Sequence, residues 1–283
     1  MVDSPAVAHW RQVPRGADGF PYPRYERDPS DGAGPGVILM HELFGVTARV
    51  AWLGDAFVDA GFTVWIPELF EPPLHSVGGT ARFVRGCVTR EFAIFSRDRR
   101  RGVASPLGDL ARLLNAQTPG DSVGIVGMCF TGGFALAAAA VPGSPISAAV
   151  ASQPALPFPT IRREAARNDP GLSREELGAL AAREGFCALG LRFVDDGLSS
   201  AGRFAALHAA LGGAFEVIPL PSDGSDVRYP RLAHSVLTPG PRELPRDPAD
   251  RASAESELAS VRDRVIAFLR TRLDADVTRT ERG

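Results

Sequence analysis

From residue 37 onward, short apolar runs alternate with stretches of helical spacing. Val37-Ile38-Leu39-Met40 is apolar at every position, the pattern of a strand covered on both faces rather than one with a wet side. Residues 47–60 place Val50, Leu53, Phe57 and Ala60 on one helical face and stop at Gly61. A second strand over 62–66 is ended by Pro67. Helical stretches are then predicted over about 81–100 and 107–115, a strand over 123–126, a helix over 131–140 and a strand over 146–151. A strand over 187–193, a helix over 200–211 and a strand over 215–219 follow. A long helix over 251–273 closes the chain, with Leu258, Val261, Val265, Ile266 and Leu269 on its apolar face. Strands and helices that take turns in this way build right-handed βαβ units. The expected fold class is therefore α/β, with a mostly parallel central sheet and helices on both faces.

Two segments depart from this rhythm. Residues 1–36 are rich in Pro, Gly, Arg and Asp and end in Gly34-Pro35-Gly36, which reads as a leader with at most a short hairpin. Residues 153–185 start Pro-rich and turn polar and helical, so a helical excursion between two strands is expected there, either a lid or an ordinary insertion. One domain over 37–275 and a tail over 276–283 complete the division.

Composition narrows the chemistry. All 31 cationic side chains of the 283 residues are arginine, and there is no lysine. Schiff-base, pyridoxal-phosphate and P-loop chemistries each need an amine nucleophile or a phosphate-cradling ammonium, so none can be built. A net charge of −2 gives no basic surplus for nucleic acid. The short run Arg97, Arg99, Arg100, Arg101 reads as a solvated helix end. No stretch approaches the roughly 20 apolar residues of a membrane span, and no signal peptide is seen at the start. Cys87, Cys129 and Cys187 form neither a disulfide framework nor a metal-ligand spacing, and the five histidines show none either. A cytoplasmic protein with reduced thiols, no cofactor and no metal is expected, working as a monomer or homodimer without nucleic-acid or membrane partners.

The informative stretch is Gly127-Met128-Cys129-Phe130-Thr131-Gly132-Gly133, between a buried strand and an alanine-rich helix. A nucleophile on a sharp strand-to-helix turn needs small neighbours, and the helix N-terminus lowers a thiol pKa. The usual pattern has glycine two residues after the nucleophile, where Thr131 stands. Taken alone, Cys129 reads equally as an activated thiol and as a small buried hydrophobe. Order favours the first. A carboxylate pair, Asp195-Asp196, follows the strand over 187–193, and His234 lies in the loop after the strand over 215–219. Nucleophile, acid and histidine then fall in α/β-hydrolase order at the strand ends where ligands sit in open parallel sheets.

With His41-Glu42-Leu43-Phe44-Gly45-Val46 after the first strand, Gly127-Met128-Cys129 at the turn and Ala233-His234-Ser235 near the end, the sequence resembles the dienelactone hydrolase family over most of its length. The resemblance implies an α/β-hydrolase fold and a triad of Cys129, Asp196 and His234, with Asp195 the rival acid. It gives Glu42 the part of accepting the thiol proton as substrate binds, and the backbone N–H groups of Leu43 and Phe130 an oxyanion hole. The family's substrate-holding arginines imply one four residues after the histidine, where this chain has Thr238. The other falls near 82–90, where Arg82, Arg85 and Arg90 compete; Arg85 and Arg90 are the candidate substrate-binding pair. The expected activity is hydrolysis of a lactone or small carboxylic ester by thiolate attack, an acyl-enzyme and deacylation by water. The alternative is a non-catalytic relative of the same fold that binds a small molecule or senses redox state through Cys129.

Overall fold

The computed structural model describes residues 7–70, 102–157, 163–221 and 226–280. The helix expected over 81–100, the arginine run at 97–101 and the candidates Arg82, Arg85 and Arg90 lie outside the described residues. Eight strands form one sheet: β1 (Arg11–Val13), β2 (Arg24–Arg27), β3 (Gly36–Leu39), β4 (Thr63–Pro67), β5 (Val123–Met128), β6 (Ile146–Ser152), β7 (Cys187–Phe193) and β8 (Phe215–Leu220). Their spatial order is β1-β2-β4-β3-β5-β6-β7-β8, and β4 through β8 run parallel.

The continuous apolar strands are explained by what covers them. Val37, Leu39, Val126, Met128, Val150 and Leu189 face one layer; Ile38, Met40, Ile125, Ala149 and Ala188 face the other. The first layer holds α1 (Ala48–Asp59) and α7 (Pro248–Thr280). The second holds α2 (Ala104–Asn115), α3 (Gly132–Ala139), α5 (Arg174–Ala181) and α6 (Ala201–Leu211). Both layers exclude water from the sheet, so neither face can alternate with polar residues. Ala254, Leu258, Val261, Val265, Leu269 and Leu273 of α7 are all buried, each worth roughly 1.5–3 kcal/mol for the larger side chains. The excursion over 153–185 carries a short helix, α4 (Arg163–Arg167), and then α5, whose Ser173 and Glu176 form a reciprocal capping box.

Residues 11–13 and 24–27 of the stretch read as a leader are built into the sheet. β1 and β2 form a hairpin, and β2 pairs antiparallel with β4, Tyr25 against Ile66. Polar residues make this edge: Arg24 is buried, donates to Glu26 and Asp18, and lies 4.4 Å over the Trp65 ring. Its charge is matched on two sides, which lets a strand that reads as polar occupy a buried place.

Candidate functional site

Gly127 and Gly132 allow the turn at the end of β5. A Cβ on Gly127 would sit 2.4 Å from the Thr131 carbonyl oxygen, and one on Gly132 would sit 2.9 Å from Pro154 Cα. Cys129 takes φ +53°, a left-handed conformation that costs a side-chain-bearing residue of order 1–3 kcal/mol. A 3₁₀ turn over Cys129–Thr131 leads into α3. The half-buried thiol therefore sits at the positive end of a helix, held in place by a bond from the Ala155 N–H to the Cys129 carbonyl at 3.0 Å.

Thr131 is fully buried. Its hydroxyl accepts from the Met128 N–H at 3.0 Å and lies 3.0 Å from the His41 carbonyl as donor. The position where a glycine was expected thus ties the cysteine turn to the loop after β3. That loop is fixed from its other side as well. His41 Nδ1 lies 2.6 Å from the Glu42 carbonyl and Nε2 accepts the Leu69 N–H at 2.9 Å, which sets the Nδ1–H tautomer.

The acid and the histidine come from the far side. Asp196 is buried at the end of β7, and its Oδ1 accepts the Leu198 and Ser199 N–H groups at 2.8 and 3.1 Å. Its Oδ2 meets His234 Nδ1 at 2.6 Å, whereas Asp195 is exposed. Arg192 braces this turn through the carbonyls of Ser199 and Val194. His234 Nε2 is buried with no other partner among the described residues. Burial works against a charged ring, but the hydrogen bond to Asp196 and the charges of Cys129 and Asp196 outweigh it and push His234 up to about 10. The observed link is the one between Asp196 and His234.

Glu42 is half-buried and accepts from Gln153 Nε2 at 2.9 Å, Ser235 Oγ at 2.8 Å and Thr238 Oγ1 at 2.9 Å. Leu43 is partly buried beside it, and Phe130 is fully buried, its ring 5.2 Å from those of Phe70 and Phe134. Gln153, Ser235 and Thr238 had no assigned part from sequence as partners of a carboxylate. The available signal was position: Gln153 is a polar residue just past the carboxyl end of a mostly apolar strand. Arg203 of α6 gave no such signal; it is fully buried and donates to the carbonyls of Pro154, Leu156, Pro157 and Ala166, which fixes the segment beside the turn. Among the described residues no group of three or more His, Cys, Asp or Glu could hold a metal ion, and no helix is long and apolar enough to cross a membrane.

No curated protein matches this sequence. Solved structures do match in fold. A protein of Klebsiella pneumoniae assigned as a dienelactone hydrolase superposes with a TM-score of 0.62 at 17% identity, covering 92% of this chain and 97% of its own. A thermophilic esterase of Thermogutta terrifontis gives 0.56 at 14% identity, over 93% and 96%. A dienelactone hydrolase-like promiscuous phosphotriesterase from metagenomic libraries gives 0.55 at 17% identity, over 90% and 98%. These likenesses identify the α/β-hydrolase fold. The model of the dienelactone hydrolase family matches residues 25–170, just over half of the chain, a span that takes in Glu42 and the Cys129 turn but ends before Asp196 and His234. By that match, on the fold that its relatives share, the chain belongs to the dienelactone hydrolase family.

Proposed function

We propose that this hydrolase-family protein cleaves a lactone or small carboxylic ester with Cys129 as nucleophile, His234 as base and acid, and Asp196 as the carboxylate that orients the ring. The observation that carries the reading is the 2.6 Å Asp196–His234 bond, which leaves the opposite ring nitrogen buried and without a hydrogen-bond partner among the described residues. Free thiols are only a few per cent ionised at neutral pH, so an adjacent base and a helix N-terminus are what make one useful.

The steps follow. The sulfur bonds to the acyl carbon and the carbonyl electron pair moves to oxygen. Backbone N–H groups of Leu43 and Phe130 are assigned to that oxyanion, each worth roughly 3 kcal/mol. Collapse breaks the bond to the alkoxide, which takes the proton of His234 Nε2. Neutral His234 then draws a proton from water, the hydroxide adds to the thioester, and the thiolate leaves with a carboxylic acid as product. In this reading the thiol proton goes to His234, raised to about 10, rather than to Glu42, whose oxygens already accept three hydrogen bonds.

Turnover of p-nitrophenyl acetate and of an enol-lactone, compared between the wild type and Cys129→Ala, tests the proposal. The variant is expected at background; equal rates in the two proteins would refute it.

A further inference from the structure

In the sheet, β5 lies between β3 and β6, so those two flanking strands stand about 10 Å apart. Glu42 follows β3 and Gln153 follows β6, yet Gln153 Nε2 donates to Glu42 Oε1 at 2.9 Å. The bond therefore crosses the carboxyl end of β5, where Cys129 begins its turn. Gln153 is built for this span. It is fully buried at φ +34°, and its Oε1 accepts from the Ser152 hydroxyl and from the Val236 N–H at 3.4 Å, which turns its NH₂ toward Glu42.

Glu42 and Asp196 differ in how their charge is met. Asp196 faces His234, two backbone N–H groups and the charge of Arg192. Glu42 accepts from an amide and two hydroxyls, so among the described residues its partners are all uncharged. Arg49, packed against Gly240 two residues past Thr238, is solvent-exposed, where water and salt screen its charge.

We infer that Glu42, held over the Cys129 turn by Gln153, Ser235 and Thr238, gives the site a fixed negative charge that selects esters and lactones with a neutral or cationic acyl part and rejects those bearing a carboxylate. Gln153 acts through Glu42 as a positioning residue. The inference rests on the hydrolase reading for its reaction, but the charge can be read without turnover.

Iodoacetate and iodoacetamide alkylate the same thiol and differ in charge, so the ratio of their rates at Cys129, followed by peptide mapping, reports the local potential. Glu42→Gln is expected to raise the iodoacetate-to-iodoacetamide ratio on the order of tenfold at low salt, with the difference shrinking at high salt. An unchanged ratio would overturn the inference. If Glu42→Gln does not fold, the wild-type ratio must rise with salt more steeply than that of 2-mercaptoethanol, and parallel curves would overturn it equally. In turnover, p-nitrophenyl valerate should exceed mono-p-nitrophenyl glutarate in kcat/KM by about tenfold, and Glu42→Gln should narrow the gap. Equal turnover of the two esters by the wild type refutes the selectivity. A raised alkylation ratio without Cys129-dependent turnover keeps the charged site and removes the hydrolase.

Discussion

Replacing Thr131 by valine keeps the shape of the side chain and removes its hydroxyl. In the wild type that hydroxyl accepts from the Met128 N–H and lies within donating distance of the His41 and Met128 carbonyls, with Thr131 fully buried. Valine leaves a buried N–H and a buried carbonyl without that partner. Each such loss costs about 1–3 kcal/mol, so the pair should cost about 2–6 kcal/mol. On a chain of this size the thermal midpoint should fall by roughly 4–24 °C. Thr131→Ser keeps the hydroxyl and deletes one buried methyl, at about 1 kcal/mol. The catalytic effect should separate the two variants further, because the lost bond links the cysteine turn to the loop that carries Leu43. Urea unfolding gives the first quantity and ester turnover the second. If Thr131→Val is as stable as the wild type, or if Thr131→Ser falls as far as Thr131→Val, the hydroxyl is not what joins these loops.

Three further predictions concern the histidine and its acid. The pKa of His234 is raised from 6.5 to about 10 on folding, so the charged ring favours the folded state. That contribution is complete below about pH 6.5 and is lost progressively as pH rises toward about 10, where kcat/KM should also fall for want of the proton that the leaving alkoxide needs. Denaturation curves over this range should slope for the wild type and be flatter for His234→Gln; identical slopes would refute the assignment. Asp196→Asn keeps the volume but can donate to Nδ1 and so favours the wrong tautomer; kcat should drop by about three to four orders of magnitude with little change in KM. Asp195→Asn, at an exposed position, should change kcat less than twofold; a large loss there would reverse the two roles.

The frame of the fold is legible because the strands are sealed on both sides. Val37 to Met40 could not be a half-wet strand, and the apolar runs put Cys129 and Asp196 at strand ends and His234 in the loop after the last strand. What could not be read were arrangements set by distant partners. The hairpin over 11–27 looks like a polar leader, since the match of Arg24 to Asp18, Glu26 and Trp65 leaves no period in the sequence. Thr131 reads as a departure from the usual turn because its value lies in a carbonyl 90 positions away. Gln153 reads as the start of an excursion, although its side chain is committed to Glu42, 111 positions earlier. A fully buried arginine such as Arg203 contradicts every compositional expectation for a helix and is explained only by the carbonyls that surround it.

The bonds from Gln153, Ser235 and Thr238 to Glu42 close loops of 111, 193 and 196 residues. Loops of that length cost entropy before any contact rewards them, so this knot belongs to the late, non-local part of folding. The segment that carries the family likeness, residues 25–170, holds the thiol and the glutamate but neither the acid nor the histidine. Released as a fragment, it would keep a cysteine and lose what orders it. During synthesis the thiol leaves the ribosome well before His234 does, and under the proposed mechanism it becomes a nucleophile only when the last quarter of the chain has folded back across the sheet.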